Sequence, residues 1–166
     1  MKRTLLPSIV FAATFGADIA SKRLVEANMD LGTVITMISN FNLVYVVNRG
    51  ISFGLFASDS AYSPYLLSLA GLLIIIFMAA WALRTDSLVQ RLSLALITGG
   101  AAGNVLDRLD DGAVTDFLDF YIGAYHWPSF NFADIAIVCG VATLLLDSIL
   151  PSKRNPSEGE ERPRVP

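Results

Sequence analysis

The chain has 166 residues, 54% of them hydrophobic and 16% charged, with a formal net charge of −3. Soluble domains carry about a quarter charged residues, so this composition excludes a disordered chain and a basic nucleic-acid binder. One cysteine and one histidine exclude an internal disulfide framework and a histidine-rich zinc site, and a small polytopic membrane protein is left.

A membrane-crossing helix needs about 20 apolar residues. Leu5 to Ala17, prolonged by Ile19 and Ala20 around Asp18, is the first candidate. Lys2-Arg3 before an apolar stretch also describes a secretory signal peptide, but cleavage would leave an odd number of spans, so a retained helix is expected. The outer loop from about Lys22 to Ser60 contains Phe41-Asn-Leu-Val-Tyr-Val-Val-Asn48, then the turn signal Asn48-Arg-Gly50 and Ile51-Ser-Phe-Gly54. This reads as a short strand and hairpin at the membrane surface. Ala61 to Leu83 is uncharged, with Pro64 suited to a first helical turn. Leu92 to Leu106 follows, broken by Gly99-Gly100 and Gly103, small residues that permit close helix contact. The loop from about Asp107 to Ser129 has five aspartates and the aromatics Phe117, Phe120, Tyr121, Tyr125 and Trp127, which suit the headgroup boundary. Phe130 to Leu150 is the last span, with Asp134 near one end and Asp147 near the other.

Residues 1–150 thus read as one four-span domain, mainly α, with a β-rich element outside the membrane over about 24–60. Residues 151–166 read as a polar, disordered tail. Four spans put Lys2, Arg3, Arg84, Arg91, Lys153, Arg154, Arg162 and Arg164 on one side, eight of the twelve basic residues. The positive-inside rule then places both termini in the cytoplasm.

Carboxylates in so apolar a chain are costly and mark functional sites by default. Asp134 lies about one turn inside the final span. A helix-start carboxylate is the bland reading, but apolar residues flank it on both sides, whereas a simple cap lies outside the apolar run. Asn131, three residues earlier, shares its face. Asp116 and Asp119 alternate with apolar residues in Ala113-Val-Thr-Asp-Phe-Leu-Asp-Phe120, and a solvated loop accounts for them equally well. Asn104 and Arg108 stack four residues apart near the outer end of span three. Asp18 and Lys22 have the same spacing and read as a buried structural ion pair. Cys139 reads as packing, His126 as an interfacial loop residue and Asp147 as facing headgroups. No metal or cofactor is expected.

Asp116 and Asp134, both in segments that meet the outer face, suggest aspartic-protease chemistry. Two neighbouring carboxyls cannot both ionise cheaply, so they share a proton: one takes a proton from water while the other polarises the scissile carbonyl. The rival reading is a proton-coupled transporter or channel component that uses the carboxylates as a relay.

Five blocks carry a resemblance: Asp18-Ile-Ala-Ser-Lys22, Asn48-Arg-Gly-Ile-Ser-Phe53, Gly103-Asn-Val-Leu-Asp-Arg108, Val114-Thr-Asp-Phe117 and Phe130-Asn-Phe-Ala-Asp134. In this order the chain resembles the bacterial lipoprotein signal peptidase (signal peptidase II) family over about residues 10 to 150. The resemblance implies a four-span enzyme of the bacterial cytoplasmic membrane, with a β-cradle beside the membrane and its active site toward the extracytoplasmic face; a monomer is expected because nothing in the spans demands a partner. It implies cleavage of diacylglyceryl-modified prolipoproteins immediately before the lipid-modified cysteine, with Asp116 and Asp134 as the catalytic pair. Asn48, Gly50, Asn104, Arg108 and Asn131 are implied to line or shape the substrate site, and Asp18, Lys22 and Gly103 to support the fold. The partners implied are prolipoproteins and membrane lipids, not nucleic acid. Ile51-Ser52 depart from the two alanines often found in the family after the glycine of the second block.

Overall fold

The computed structural model describes residues 2–50 and 60–150. In chain order it has helix α1 (Lys2–Asn28), strands β1 (Val34–Ile38) and β2 (Phe41–Asn48), helices α2 (Ser63–Arg84) and α3 (Leu88–Asp110), strands β3 (Val114–Ile122) and β4 (Tyr125–His126), and helix α4 (Phe132–Ile149). The expected tail after Pro151 and the segment 51–54 lie outside the described residues.

Three of the helices, α1 over Thr4–Asn28, α2 and α4, are long and apolar enough to cross a membrane. Large apolar side chains such as Leu66, Leu73, Ile76 and Phe77 on α2 and Val138, Leu145 and Leu146 on α4 stay exposed, the surface a lipid-facing helix presents. The remaining helix, α3, packs against all three others and buries Leu94, Ile97, Thr98, Gly99, Gly100 and Gly103. Surrounded by protein, α3 needs no lipid-facing apolar surface and can carry small and polar residues. Its glycines set the packing distances. A Cβ at Gly99 would lie 2.9 Å from the Phe11 carbonyl oxygen of α1, and one at Gly100 would lie 2.5 Å from the Ala133 carbonyl oxygen of α4. Away from the sheet, Gln90 Nε2 donates to Asp147 Oδ2 at 3.0 Å, so Asp147 ties α3 to α4 instead of only facing headgroups.

The strands form one antiparallel sheet in the order β1-β2-β3-β4. The hairpin expected beyond Asn48–Gly50 runs into the segment outside the described residues, and a further one, which the sequence reading lacked, lies at the other end of β2. It closes over Ser39-Asn40, where Asn40 adopts φ 72°, a left-handed conformation asparagine tolerates. A correction concerns the aspartate-rich loop. Val114–Ile122 is a nine-residue strand in the interior of the sheet, with Asp116 and Asp119 only 2% and 5% exposed, so neither belongs to a solvated loop. In register, Val46 opposes Asp116, Val47 opposes Thr115 and Asn48 opposes Val114. Leu118 N and O also bond Phe130 O and N at 2.9 and 3.0 Å. The sheet is thereby fastened to the residue that leads into α4.

Candidate active site

The Leu118–Phe130 bridge fixes where α4 starts, and with it the two acids. Asn131 is the N-cap of α4 and is fully buried. Its Oδ1 accepts from the Asp134 backbone N–H at 3.0 Å, while its own backbone N–H donates to Asp134 Oδ2 at 3.3 Å, a reciprocal capping box. Asp134 is therefore a helix-start carboxylate, contrary to the sequence argument. Its cap is flanked by apolar residues because α4 starts directly after Phe130, which is bridged to Leu118 of β3. Asn131 Nδ2 faces the other way and donates to Asp116 Oδ1 at 2.7 Å, with Thr115 O and Asn104 Oδ1 at 3.3 and 3.2 Å. One amide side chain thus touches both aspartates.

Asn104 completes the bridge from α3. Its Nδ2 donates to Asp134 Oδ1 at 2.9 Å and its Oδ1 accepts from Lys22 Nζ at 2.9 Å. Lys22, 1% exposed, also reaches Asp18 Oδ2 at 2.8 Å and Asp107 Oδ2 at 2.9 Å. The ion pair read from the sequence is thus a triad, and Asp107 is the member missed. Its signal is spacing: three residues beyond Asn104, it shares that helix face. Asp18 Oδ1 accepts from the Ala133 backbone N–H at 2.8 Å, and Asp107 Oδ2 from Thr115 N at 3.2 Å. The triad binds α1, α3, β3 and the start of α4 into one unit. Gly103 faces Asp18, whose carboxylate would collide with any Cβ there.

From the sheet side, Asn48 Nδ2 donates to Asp116 Oδ2 at 3.2 Å while its Oδ1 accepts from Gly50 N at 3.0 Å, an Asx turn that shapes the Asn48-Arg-Gly50 segment. Arg108 holds that segment to α3, donating to Gly50 O at 2.7 Å and Asn104 O at 3.1 Å. Its buried Nε has no hydrogen-bond partner among the described residues. Burial, then the charge of Asp134, push the Asp116 carboxyl up from 3.8 to about 7, against the lowering effect of the Asn48 and Asn131 bonds.

Both carboxylates line a cavity of about 1190 Å³, whose other walls include Leu67, Gly71 and Ile74 of α2, Val105 of α3 and Ile135 and Val138 of α4. The cavity runs from the polar cluster between apolar helices, so one end offers hydrogen bonds and the other hydrocarbon.

The family model described as signal peptidase (SPase) II matches residues 10–150. The chain belongs to the signal peptidase II family. Relatives named lipoprotein signal peptidase come from Azoarcus sp. (strain BH72), 42% identical over 96% of this chain and 92% of the relative, and Pasteurella multocida (strain Pm70), 40% identical over 91% and 90%. A relative of that name from Vibrio cholerae is 38% identical over 87% of this chain and 86% of its own. A bacterial membrane enzyme solved by the in meso method at 2.3 Å resolution shares the fold, with a TM-score of 0.78 at 24% identity over 95% of this chain and 94% of that one. Membership makes the chain a peptidase, and its apolar helices make it a multi-pass membrane protein.

Two further residues of this signal peptidase II chain depart from the sequence reading. Cys139 is exposed and lines the cavity, so it is not a packing residue. His126 belongs to β4, where Nδ1 pairs with Asp119 Oδ1 at 2.9 Å and the ring stacks on Tyr121. Asp119 also accepts from Asn42 Nδ2 at 2.8 Å. This group braces the far end of β3, and neither its histidine nor its asparagine had a signal beyond residue type.

Proposed function

We propose that this chain is an intramembrane aspartic endopeptidase that removes the signal peptide from diacylglyceryl-modified prolipoproteins, cutting immediately before the lipid-modified cysteine. The observation that carries the reading is the Asn131 amide, hydrogen-bonded at once to Asp116 and to the backbone of Asp134. It brings two acids to the polar end of a cavity otherwise walled by apolar helices. The ionised acid takes a proton from water as the water oxygen attacks the scissile carbonyl carbon. The protonated acid gives its proton to the carbonyl oxygen, forming a gem-diol. On collapse the C–N bond breaks, the first acid hands its proton to the leaving nitrogen, and the second recovers one from a diol hydroxyl. Water is consumed, the pair returns to its starting state, and no metal is called on.

The substrate fits the shape of the cavity. Acyl chains contribute about 0.8 kcal/mol per buried methylene, so apolar walls on α2 and α4 suit the diacylglyceryl group. The amides of Asn48 and Asn104, which line the cavity, suit the backbone of an unwound peptide, whose carbonyls need donors at membrane depth. Four spans with both termini cytoplasmic, as the basic residues suggest, put this end of the bundle on the extracytoplasmic side. A proton relay would need acids distributed across the bilayer. Asp18, Asp107, Asp116 and Asp134 gather at one end instead, and Asp147 is committed to Gln90.

Purified protein incubated with a lipidated prolipoprotein should release the shortened product on a gel. Asp116→Asn and Asp134→Asn should each abolish release while keeping the wild-type elution volume. Full turnover by either variant would remove the aspartic mechanism, and no product from the wild type would remove the peptidase reading itself.

A further inference from the structure

The amide of Asn104 has only one orientation open to it. Lys22 Nζ is 2.9 Å from Asn104 Oδ1. An ammonium has hydrogens to give and no lone pair to receive them, so the oxygen must face α1. The NH2 is then turned to Asp134 Oδ1 at 2.9 Å. The second Asp134 oxygen faces the Asn131 backbone N–H at 3.3 Å, a donor that cannot be reversed, at the positive end of α4. Asp134 is thus met by fixed donors on both oxygens, and the buried ammonium stands one amide behind it. Asp116 is two amides from the same ammonium, through Asn104 and then Asn131. Both Asp116 oxygens also accept from amides, Asn131 Nδ2 at 2.7 Å and Asn48 Nδ2 at 3.2 Å, so what sets Asp134 apart is the nearer ammonium and the backbone N–H at the positive end of α4.

We propose that Lys22 is a positioning residue that, acting through Asn104, holds Asp134 as the ionised member of the pair and leaves Asp116 as the acid. This rests on the peptidase reading above. Asp134 then takes the proton from water, and Asp116 supplies the one that goes to the carbonyl oxygen. Beyond tying the elements together, Lys22 supplies the charged donor, beside Asn131 Nδ2 at 3.2 Å, that fixes which atom of Asn104 faces the acid, a task no apolar replacement for a buried triad could perform. The charged groups around Asp134 are Asp18 and Lys22 from α1, Asp107 and Arg108 from α3 and Asp116 from β3, with Arg49 lining the same cavity.

The test is the pH dependence of kcat/KM, with lipidated prolipoprotein as substrate, for the wild type and for Lys22→Met combined with Asp107→Asn. The double variant removes one charge of each sign and so avoids an added buried imbalance. The acid limb of the bell should move to higher pH, because Asn104 loses the ammonium that turns its NH2 toward Asp134, and the alkaline limb should move less. A lower rate with both limbs in place, or equal movement of both, would overturn the proposal. Should the double variant fail to fold, infrared spectra at the rate optimum decide the matter with the native lysine present. The protonated-carboxyl band should vanish in Asp116→Asn and persist in Asp134→Asn, and the reverse pattern overturns the assignment. A wild type that cleaves nothing removes the peptidase reading instead, a result distinct from either.

Discussion

Gly100→Ala is the substitution whose effect the packing fixes most sharply. A Cβ at this position would stand 2.5 Å from the Ala133 carbonyl oxygen and 3.1 Å from Ile137 Cγ1, whereas ordinary contact begins near 3.4 Å. The obstacle is backbone, so no rotamer relieves it, and α3 and α4 must part by somewhat under 1 Å. Overpacking of this kind costs about 1–3 kcal/mol. The larger effect is positional. Ala133 lies between the Asn131 cap and Asp134 and donates its N–H to Asp18, so the displacement is delivered to the carboxylate that Asn104 must reach. Misplacing a reacting group by about 1 Å costs on the order of 10²-fold in rate. Gly100→Ala should therefore lower single-turnover cleavage of a lipidated prolipoprotein by about that factor while the protein still melts cooperatively in detergent. Gly16→Ala is the matched control. Nothing lies within 4 Å of a Cβ there, and turnover should be unchanged. Wild-type turnover and melting temperature in Gly100→Ala would show that the first turn of α4 does not set the position of Asp134.

Asp116 carries a folded-state value of about 7 against 3.8, so the native state holds a proton that the unfolded chain releases between those pH values. Wild-type stability should fall as pH rises from about 4 to 7. Asp116→Asn, neutral throughout, should flatten that slope and melt above the wild type at pH 8 but with it at pH 4, by calorimetry. Asn131→Ala removes a cap worth about 0.5–2 kcal/mol and also the amide that bonds both Asp116 and the backbone of Asp134, so cleavage should fall far more than stability on parallel gel and melting assays. Arg108→Lys keeps the charge but not the fork that spans Gly50 O and Asn104 O. KM should rise more than kcat falls in steady-state cleavage, since the Asn48–Gly50 wall loosens while the acids stay in place.

The helices were legible because lipid-facing surface imposes long uncharged runs, and α2 in particular has little else it can be. The sheet was legible by half. β2 announces itself through Leu43-Val-Tyr-Val-Val47, but β3 carries two aspartates, and strand propensity counts those against it. What makes Val114–Ile122 a strand is tertiary: Asn48 and Asn131 hydrogen-bond Asp116, Asn42 and His126 do the same for Asp119, and buried carboxylates then cease to be turn formers. The turn at Asn40 had no glycine or proline to announce it, since asparagine itself takes the left-handed conformation there. In the site, pairs at i, i+4 such as Asp18–Lys22 were readable from spacing. The convergence of α1, α3, β3 and α4 on one amide was not, because it depends on the Leu118–Phe130 bridge, which joins residues by backbone groups that every residue possesses.

The site and the packing of α3 are one arrangement, because the same stripe of this helix serves both. Gly100, Gly103 and Asp107 follow at spacings of three and four along it, and Gly100, Asn104 and Arg108 at spacings of four. Gly100 admits the Ala133 carbonyl and brings the start of α4 close, and Gly103 admits the Asp18 carboxylate from α1. Only with both neighbours so near do the next residues on the stripe reach their partners: Asn104 spans from Lys22 to Asp134, Asp107 meets Lys22 and Thr115, and Arg108 meets Gly50. Larger side chains at the two glycines would leave every polar residue of the stripe in place and every one of its contacts too long. The glycines that read from the sequence as mere smooth surface are thus what sets the reach of the chemistry.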